Sequence, residues 1–281
     1  MISFPNCKIN LGLNVTRRRQ DGYHDIETVF YPLPLTDVLE IIHDSSFSTI
    51  SPKQQNKGAD FTTTGLPING AAGKNLCVKA YQLIQQEFSK LPPVHIFLHK
   101  AIPIGAGLGG GSADGAFTLK LLNKKFQLKL TTEQLLDYAI RLGSDCPFFI
   151  LNRPCFATGR GEFLEGIDLN LDTYSFVIVN PGIHISTAWA FQQLTPAQPG
   201  SSLREAIQQP VSRWKDLLTN DFEAAVFKHH PELLSVKATL YKSGAIYASL
   251  SGSGSCFYGI YPKKIFPPLN FPGSFQIVHI K

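Results

Sequence analysis

Regular alternation of apolar and polar residues predicts the first strand of the chain. In CKINLGLNV, residues 7–15, every second residue is apolar, and Lys8, Asn10, Gly12 and Asn14 occupy the positions between them. A period of two predicts a strand with one buried side and one side facing solvent. Apolar runs predict further strands at 26–33, 37–44, 94–100, 174–180 and 275–281, and on both sides of SGSGS at 251–255.

Apolar residues at helical spacing predict helices at 75–88 and 112–124. Another helix is expected to begin at Thr131, because Thr131 and Gln134 match a capping box, and to end at Gly143. The next segment, SDCPFFIL, is predicted to be a loop that turns into an apolar strand, and the polar stretch 45–73 a hairpin and loop. Later helices are predicted at 187–194, 220–229 and 231–243.

The order of these elements bears on the fold class. Helices and strands are mixed without regular strand–helix–strand alternation, which favours an α+β fold over a doubly wound sheet. A length of 281 residues suggests about two domains. The pattern restarts after Pro154, so we expect an N-terminal domain at 1–155 and a C-terminal domain at 156–281, with the last strand able to return to the first domain.

Composition and charge narrow the functional classes only slightly. A net charge of +5 suits an anionic ligand, nucleic acid or a membrane surface without deciding between them. The five cysteines are scattered and follow no secretory signal, so we expect reduced thiols in a cytoplasmic protein. No apolar run approaches the roughly 20 residues that cross a bilayer. His95 and His99 are spaced for a helix but lie on a strand pattern, so a metal site of protein side chains alone is not expected.

The glycine-rich segment PIGAGLGGGSADG, residues 103–115, joins a predicted strand to a predicted helix. Backbone N–H groups at such a junction can surround an anion. A Walker A loop is excluded, because Gly111 and Ser112 stand where its lysine is required. Gly105, Gly107 and Gly110 match a dinucleotide fingerprint, but the surrounding segments do not form the strand–helix–strand unit that it needs. A polyphosphate cradle and an ordinary structural turn remain.

Four further motifs are weak individually. Lys8 and Asn10 share one strand face, with Cα atoms about 6.5 to 7 Å apart, where lysines are usually solvated. The turn DGYH, 21–24, presents an aromatic ring beside an imidazole. GSDCP, 143–147, places a carboxylate on a constrained loop or at a helix cap, and SGSGS, 251–255, is a second glycine turn or a plain hairpin.

Taken in this order, the motifs resemble those of the GHMP kinase superfamily. The resemblance implies a two-domain GHMP kinase fold, with an N-terminal domain like domain 2 of ribosomal protein S5 and a ferredoxin-like C-terminal domain. It also implies ATP-dependent phosphorylation of a small alcohol with Mg²⁺. Residues 6–30 and 180–191 are similar to those kinases that act on cytidine diphosphate methylerythritol at its 2-hydroxyl, in the non-mevalonate route to isoprenoid precursors. Cys7 and Gly115 stand where such kinases commonly have alanine.

By the same resemblance, Asp145 is the catalytic base and Lys8 its partner. Tyr23 and Phe191 would stack on the two faces of cytosine, with His24 at its edge. The remaining substrate contacts would be Asn10 and Thr187. The ATP contacts would be Asn75, Pro103, Gly105, Gly107, Leu108, Gly109, Gly110, Gly111, Ser112 and Gly252, with Ser112 also a metal contact.

The expected partner is the small-molecule substrate, with no nucleic acid and no membrane, for a monomer or weak homodimer. A homoserine or mevalonate kinase would keep the glycine loop but should lack DGYH and an aromatic partner at Phe191. The sequence also leaves open a nicotinamide-dependent dehydrogenase and a non-catalytic nucleotide-binding regulator.

Overall fold

The computed structural model describes residues 1–43, 58–68, 71–197, 202–265 and 267–281. Most of the hairpin and loop predicted at 45–73 lies outside the described residues. Two compact units are present: the first comprises residues 1–7, 34–104 and 109–152, and the second comprises residues 8–33, 105–108 and 153–281.

The elements from the N-terminus to residue 151 are β1 (Ile2–Ser3), β2 (Asn6–Arg18), β3 (His24–Thr36), β4 (Val38–Ile42), β5 (Ala59–Gly65), α1 (Leu76–Glu87), β6 (Val94–Lys100), α2 (Gly110–Lys125), α3 (Thr132–Leu142) and α4 (Cys146–Leu151). After them come β7 (Cys155–Thr158), β8 (Phe163–Gly166), β9 (Tyr174–Asn180), α5 (Thr187–Gln192), α6 (Leu203–Ile207), α7 (Trp214–Leu217), α8 (Phe222–His229), α9 (Glu232–Lys242), β10 (Tyr247–Leu250), β11 (Phe257–Pro262) and β12 (Gln276–Ile280).

The first unit combines one sheet with helices α1 to α4. Its strand order is β1-β4-β6-β5, in which only β5 and β6 run parallel. Helix α2 packs against α1 and α4. Gly115 is required at the first of these contacts, because a Cβ there would lie 2.9 Å from the Cβ of Leu76. An alanine at this position would therefore require α1 and α2 to shift apart.

Two predictions about α3 and α4 had different outcomes. The capping box at Thr131 and Gln134 is present, and α3 ends at the residue before Gly143. The strand predicted within SDCPFFIL is wrong, because this segment forms α4. Pro147 lies in the first turn, where its missing N–H interrupts no helical hydrogen bond. Cys146, Phe148 and Phe149 are all fully buried, and an apolar run of this length has no periodicity that separates helix from strand.

The second unit contains two four-stranded sheets with strand orders β2-β3-β7-β8 and β10-β11-β9-β12. All pairs in the latter sheet are antiparallel, and its order matches that of a ferredoxin-like domain. The usual second crossover helix is not seen in residues 263–265 and 267–275. β12 pairs with β9, so the last strand stays in this sheet and does not return to the N-terminal part.

Residues 8–33 group with the C-terminal part of the chain, which the predicted division at 155 did not anticipate. The physical reason is that β3 pairs with β7, which follows that division, with Val29 opposite Phe156. Within the described ranges, no helix is both long and apolar enough to cross a membrane.

Candidate active site

Strand β2 buries Lys8 among fixed partners. Lys8 is only 3% exposed and Asn10 only 1%, so the face predicted to meet solvent is buried. The Nζ of Lys8 donates to Oδ1 of Asn10 at 2.7 Å and lies 4.9 Å from the centre of the Phe30 ring. Asn10 Nδ2 in turn donates to Thr28 Oγ1 at 2.9 Å. A buried ammonium group with fixed partners is unlike a solvated surface lysine.

The glycine loop is divided between the two units, with residues 105–108 in the second. Within that unit, Lys8 donates its backbone N–H to the carbonyl of Leu108 at 2.9 Å. The hydroxyl of Ser251 donates to the carbonyl of Gly107 at 2.9 Å. Strand β2 and the second glycine motif therefore both contact this part of the loop.

Close backbone packing explains several of the glycines. A Cβ on Gly107 would lie 1.8 Å from the carbonyl oxygen of Ser251, and its φ of +84° already favours glycine. A Cβ on Gly254 would lie 2.2 Å from the carbonyl carbon of Ala106. Gly252 is buried, and a Cβ on it would lie 3.3 Å from the Cα of Gly107. These three residues are glycine because two turns of the protein touch each other.

Gly111 differs from them. No atom lies within 4 Å of the position that its Cβ would occupy, and Gly111 is exposed at the start of α2. Gly109 occupies the N-cap in a left-handed conformation and makes no side-chain capping hydrogen bond. The first N–H groups of α2 consequently receive no side-chain cap from Gly109, which suits an anion.

Ser112 and Asp145 meet the same neighbour in the first unit. The hydroxyl of Ser112 faces the thiol of Cys146, the residue after Asp145, and opposes the effect of burial on the pKa of that thiol. Burial raises the pKa of Cys146 to about 12, so this thiol stays protonated. Asp145 occupies the N-cap of α4 but makes no capping hydrogen bond with its side chain. Helix capping therefore does not account for this carboxylate.

Asn75 serves as a helix cap. Its Oδ1 accepts the N–H of Cys77 at 2.9 Å at the start of α1. If Asn75 contacts the adenosine part of ATP as predicted, it would therefore do so through its side-chain NH₂ group or its backbone. Pro103 is buried, and Gly105 lies near the ring of His184.

Among the predicted substrate residues in the second unit, His24 and Phe191 contact each other, and Thr187 contacts the second glycine motif. His24 and Phe191 are stacked with ring centres 4.8 Å apart, so His24 already covers one face of Phe191. Burial and the positive charge of Arg18 lower the pKa of His24, which keeps the imidazole neutral near pH 7. Ser253 donates to the hydroxyl of Thr187 at 3.1 Å, linking the second glycine motif to α5.

Arg160 was missed by the sequence reasoning. Its guanidinium carbon lies 4.8 Å from the centre of the Tyr23 ring, and Tyr23 is 55% exposed. The Nε of Arg160 pairs with Glu162 at 3.3 Å. Gly159 and Gly161 flank Arg160 with φ of +68° and +108°. The Gly-Arg-Gly sequence at 159–161 was the one local pattern that could have indicated a turn presenting Arg160.

A buried ionic triad was also missed. Lys100 bridges Asp37 and Asp114, and the three residues are between 0% and 2% exposed. Burial by itself lowers the pKa of Lys100. The nearby carboxylates of Asp114 and Asp37 have the larger effect, so the pKa of Lys100 is raised. Burial also raises the pKa of Asp114 above its usual range. In the sequence, Asp37 and Lys100 stand at the ends of predicted strands and Asp114 stands in a predicted helix, which is ordinary for these residue types. Only the fold shows that the three side chains contact one another.

Two family models match the chain: GHMP kinases N terminal domain over residues 75–153 and GHMP kinases C terminal over residues 202–265. A 4-diphosphocytidyl-2-C-methyl-D-erythritol kinase of Bacteroides fragilis (strain YCH46) is 50% identical and covers 98% of this chain and 97% of its own. The enzyme of that name from Parabacteroides distasonis is 49% identical over 94% of this chain and 92% of its own. This chain belongs to the 4-diphosphocytidyl-2-C-methyl-D-erythritol kinase family.

The solved structures agree with membership of this kinase family. A crystal structure of 4-(cytidine 5'-diphospho)-2C-methyl-D-erythritol kinase has a TM-score of 0.77 and 31% identity, covering 92% of this chain and 90% of its own. A homoserine kinase from Cytophaga hutchinsonii has a TM-score of 0.63 at 15% identity, covering 99% of this chain and 95% of its own, which shows a shared fold alone. The predicted GHMP kinase fold and the kinase class are thereby confirmed.

Proposed function

We propose that this chain transfers the γ-phosphoryl group of ATP to the 2-hydroxyl of 4-diphosphocytidyl-2-C-methyl-D-erythritol, giving the 2-phosphate and ADP, in the non-mevalonate route to isoprenoid precursors. The observation that carries the proposal is the full-length similarity to kinases of that name. The buried Lys8–Asn10 pair and the uncapped start of α2 supply chemistry that suits this reaction.

On this proposal, Asp145 orients the accepting hydroxyl and Lys8 offsets charge on the transferring phosphoryl group. An ordinary aspartate has a pKa of about 3.9 and is a weak base for an alcohol. Phosphoryl transfer tolerates a weak base, because its loose transition state depends mainly on positioning and charge neutralisation. Asp145 therefore accepts the proton late. Lys8 belongs to the second unit and Asp145 to the first. We propose that both act on the same hydroxyl of the substrate.

The donor site would use the first N–H groups of α2, with Gly111 allowing the closest approach of the phosphates. Asn75 and Gly252 would complete the proposed ATP contacts. Mg²⁺ commonly binds proteins through one or two oxygen ligands while keeping water and nucleotide phosphates. Ser112 fits such a contact, and no cluster of three or more acidic, histidine or cysteine ligands occurs among the described residues. When bound, Mg²⁺ would neutralise phosphate charge.

The acceptor site would hold the cytidine through Tyr23, Phe191 and the neutral imidazole of His24, with Asn10 and Thr187 as further contacts. Since His24 covers one face of Phe191, the pyrimidine would use the opposite face or displace the imidazole. Arg160 beside Tyr23 adds positive charge, which suits a substrate that carries a diphosphate.

The roles of the two predicted domains follow from these assignments. We assign ATP binding to residues 1–155 with Gly252 from the second domain, and substrate binding to residues 156–281 with Asn10, Tyr23 and His24 contributed from the N-terminal segment. The described cysteines are buried and form no disulfides with one another, which suits a reducing compartment such as the cytoplasm. We propose a monomer or weak homodimer.

The function is tested by measuring ADP release with 4-diphosphocytidyl-2-C-methyl-D-erythritol, homoserine and mevalonate as separate acceptors. We expect turnover with the first acceptor only. Faster turnover with homoserine or mevalonate would assign the chain to another branch of the superfamily. The Asp145→Asn variant is the matched control, because it should bind ATP normally while losing turnover.

A further inference from the structure

The buried triad lies at both ends of the glycine loop in the first unit. Before the loop, Oδ1 of Asp37 accepts the backbone N–H groups of Ala101 at 2.6 Å and Ile102 at 2.9 Å. After the loop, Asp114 belongs to the second turn of α2, and its Oδ2 accepts from Nζ of Lys100 at 2.8 Å. Lys100 also pairs with Asp37. One side-chain network thus joins the chain entering the loop to the helix leaving it.

The triad also lies against the first turn of α2. A Cβ on Gly110 would lie 3.2 Å from Nζ of Lys100 and 2.8 Å from Cγ2 of Ile102. The backbone of the first helical residue therefore rests directly on the lysine and on the residue that Asp37 holds. Replacing Lys100 would therefore change the packing against the first turn of α2, whose N–H groups the proposed function assigns to the ATP phosphates.

Stability alone is a poor reason to keep such a network. Replacing a buried ion pair with apolar residues of similar size is often neutral or stabilising. Here two carboxylates share one ammonium group, and Oδ1 of Asp114 is buried and accepts no hydrogen bond from any described residue. An unpaired buried acceptor is unfavourable for folding. Fixing one loop conformation is a benefit that an apolar replacement would lose.

We propose that Asp37, Lys100 and Asp114 are positioning residues that clamp the glycine loop in the conformation that binds the phosphates of ATP. The inference rests on the proposed function, because it takes this loop as the phosphate site. The three residues act through the backbone of residues 101–102 and 110, and none of them needs to touch the nucleotide.

The test compares direct ATP binding, measured by calorimetry without any acceptor, in three variants. Lys100→Met with Asp114→Leu replaces the charged bridge with apolar side chains and leaves Asp37 with its two backbone hydrogen bonds. Asp114→Asn is the conservative second variant, which keeps the shape of the side chain. Lys120→Met is the matched control, because Lys120 is a part-buried lysine on the same helix whose Nζ lies near the carbonyl of Phe149.

We expect the dissociation constant for ATP to rise about 10-fold or more in the double variant, since charge-assisted hydrogen bonds are lost, and by a smaller factor in Asp114→Asn. The control should bind ATP like the wild type. Thermal unfolding should show that the double variant is folded, and the KM for the acceptor should stay near the wild-type value.

Wild-type ATP affinity in the folded double variant would overturn the clamp while leaving the proposed function intact. If the double variant does not fold, wild-type ATP affinity in Asp114→Asn overturns it equally. Absence of ATP binding in the wild-type protein would overturn the clamp together with the kinase assignment. Wild-type ATP binding combined with turnover of a different alcohol would change only the acceptor.

Discussion

Gly107 lies in the glycine loop and Gly111 four residues later in the first turn of α2, and their substitution by alanine should affect stability differently. At Gly107 the added methyl group would overlap the carbonyl oxygen of Ser251 at 1.8 Å, and the φ of +84° is unfavourable for alanine. A left-handed conformation costs a residue with a side chain about 1 to 2 kcal/mol, and overpacking adds about 1 to 3 kcal/mol. Gly107→Ala should therefore lower the free energy of unfolding by roughly 2 to 5 kcal/mol.

At Gly111 the methyl group would meet nothing within 4 Å, and the residue lies in a helix. Alanine favours helix over glycine by up to about 1 kcal/mol, so Gly111→Ala should be as stable as the wild type or slightly more stable. Its cost should appear in ATP binding, because the methyl group would occupy space assigned to a phosphate.

Thermal unfolding and calorimetric ATP titration of both variants separate these effects. Each kcal/mol corresponds to about 2 to 4 °C in a domain of 150 to 250 residues, so Gly107→Ala should unfold well below the wild type. A wild-type midpoint for Gly107→Ala would refute the packing explanation. Unchanged ATP affinity in Gly111→Ala would refute the phosphate contact at that residue.

Four other outcomes are expected. Asp145→Asn should lower kcat by a factor of roughly 10² to 10⁴ with ATP affinity unchanged, and near-normal turnover would remove Asp145 from the mechanism. Tyr23→Ala should raise the KM for the cytidine substrate about 10-fold, since stacking contributes about 1 to 3 kcal/mol per base; an unchanged KM would exclude Tyr23 from the site. Arg160→Gln should weaken binding of CDP more than binding of cytidine, and equal losses would show that Arg160 only orients Tyr23. Because burial lowers the pKa of His24, its contribution to stability is present above pH 6.5 and is lost as the pH falls through its folded pKa. The wild type should therefore lose more thermal stability than His24→Gln between pH 7 and pH 5, and parallel curves would contradict this.

Local patterns predicted most individual elements correctly. The spacing of apolar residues located α1, α2 and the strands β2, β3, β4 and β6. The capping box located the start of α3, because its two hydrogen bonds join residues only three apart. The fully buried α4 was mistaken for a strand, since a short segment that is apolar on every side carries no period.

The candidate site was predictable only in part. The motifs around Lys8, Asp145 and the glycine loop were visible because each lies in a few consecutive residues. The burial of Lys8 and Asn10 was not visible, because the alternating pattern normally marks a solvated face. The glycines at 107 and 254 are explained by contact between turns that are distant in sequence.

By itself, the sequence determined the order of most elements, the motif set that identifies the kinase superfamily, and the residue types available for phosphoryl transfer. These properties depend on neighbours within a few positions. Only the tertiary structure decided that Asp37, Lys100 and Asp114 share one buried network and that Arg160 covers Tyr23. Such contacts join residues 14 or more positions apart. They form through packing and exclusion of water across the fold, which no local pattern records.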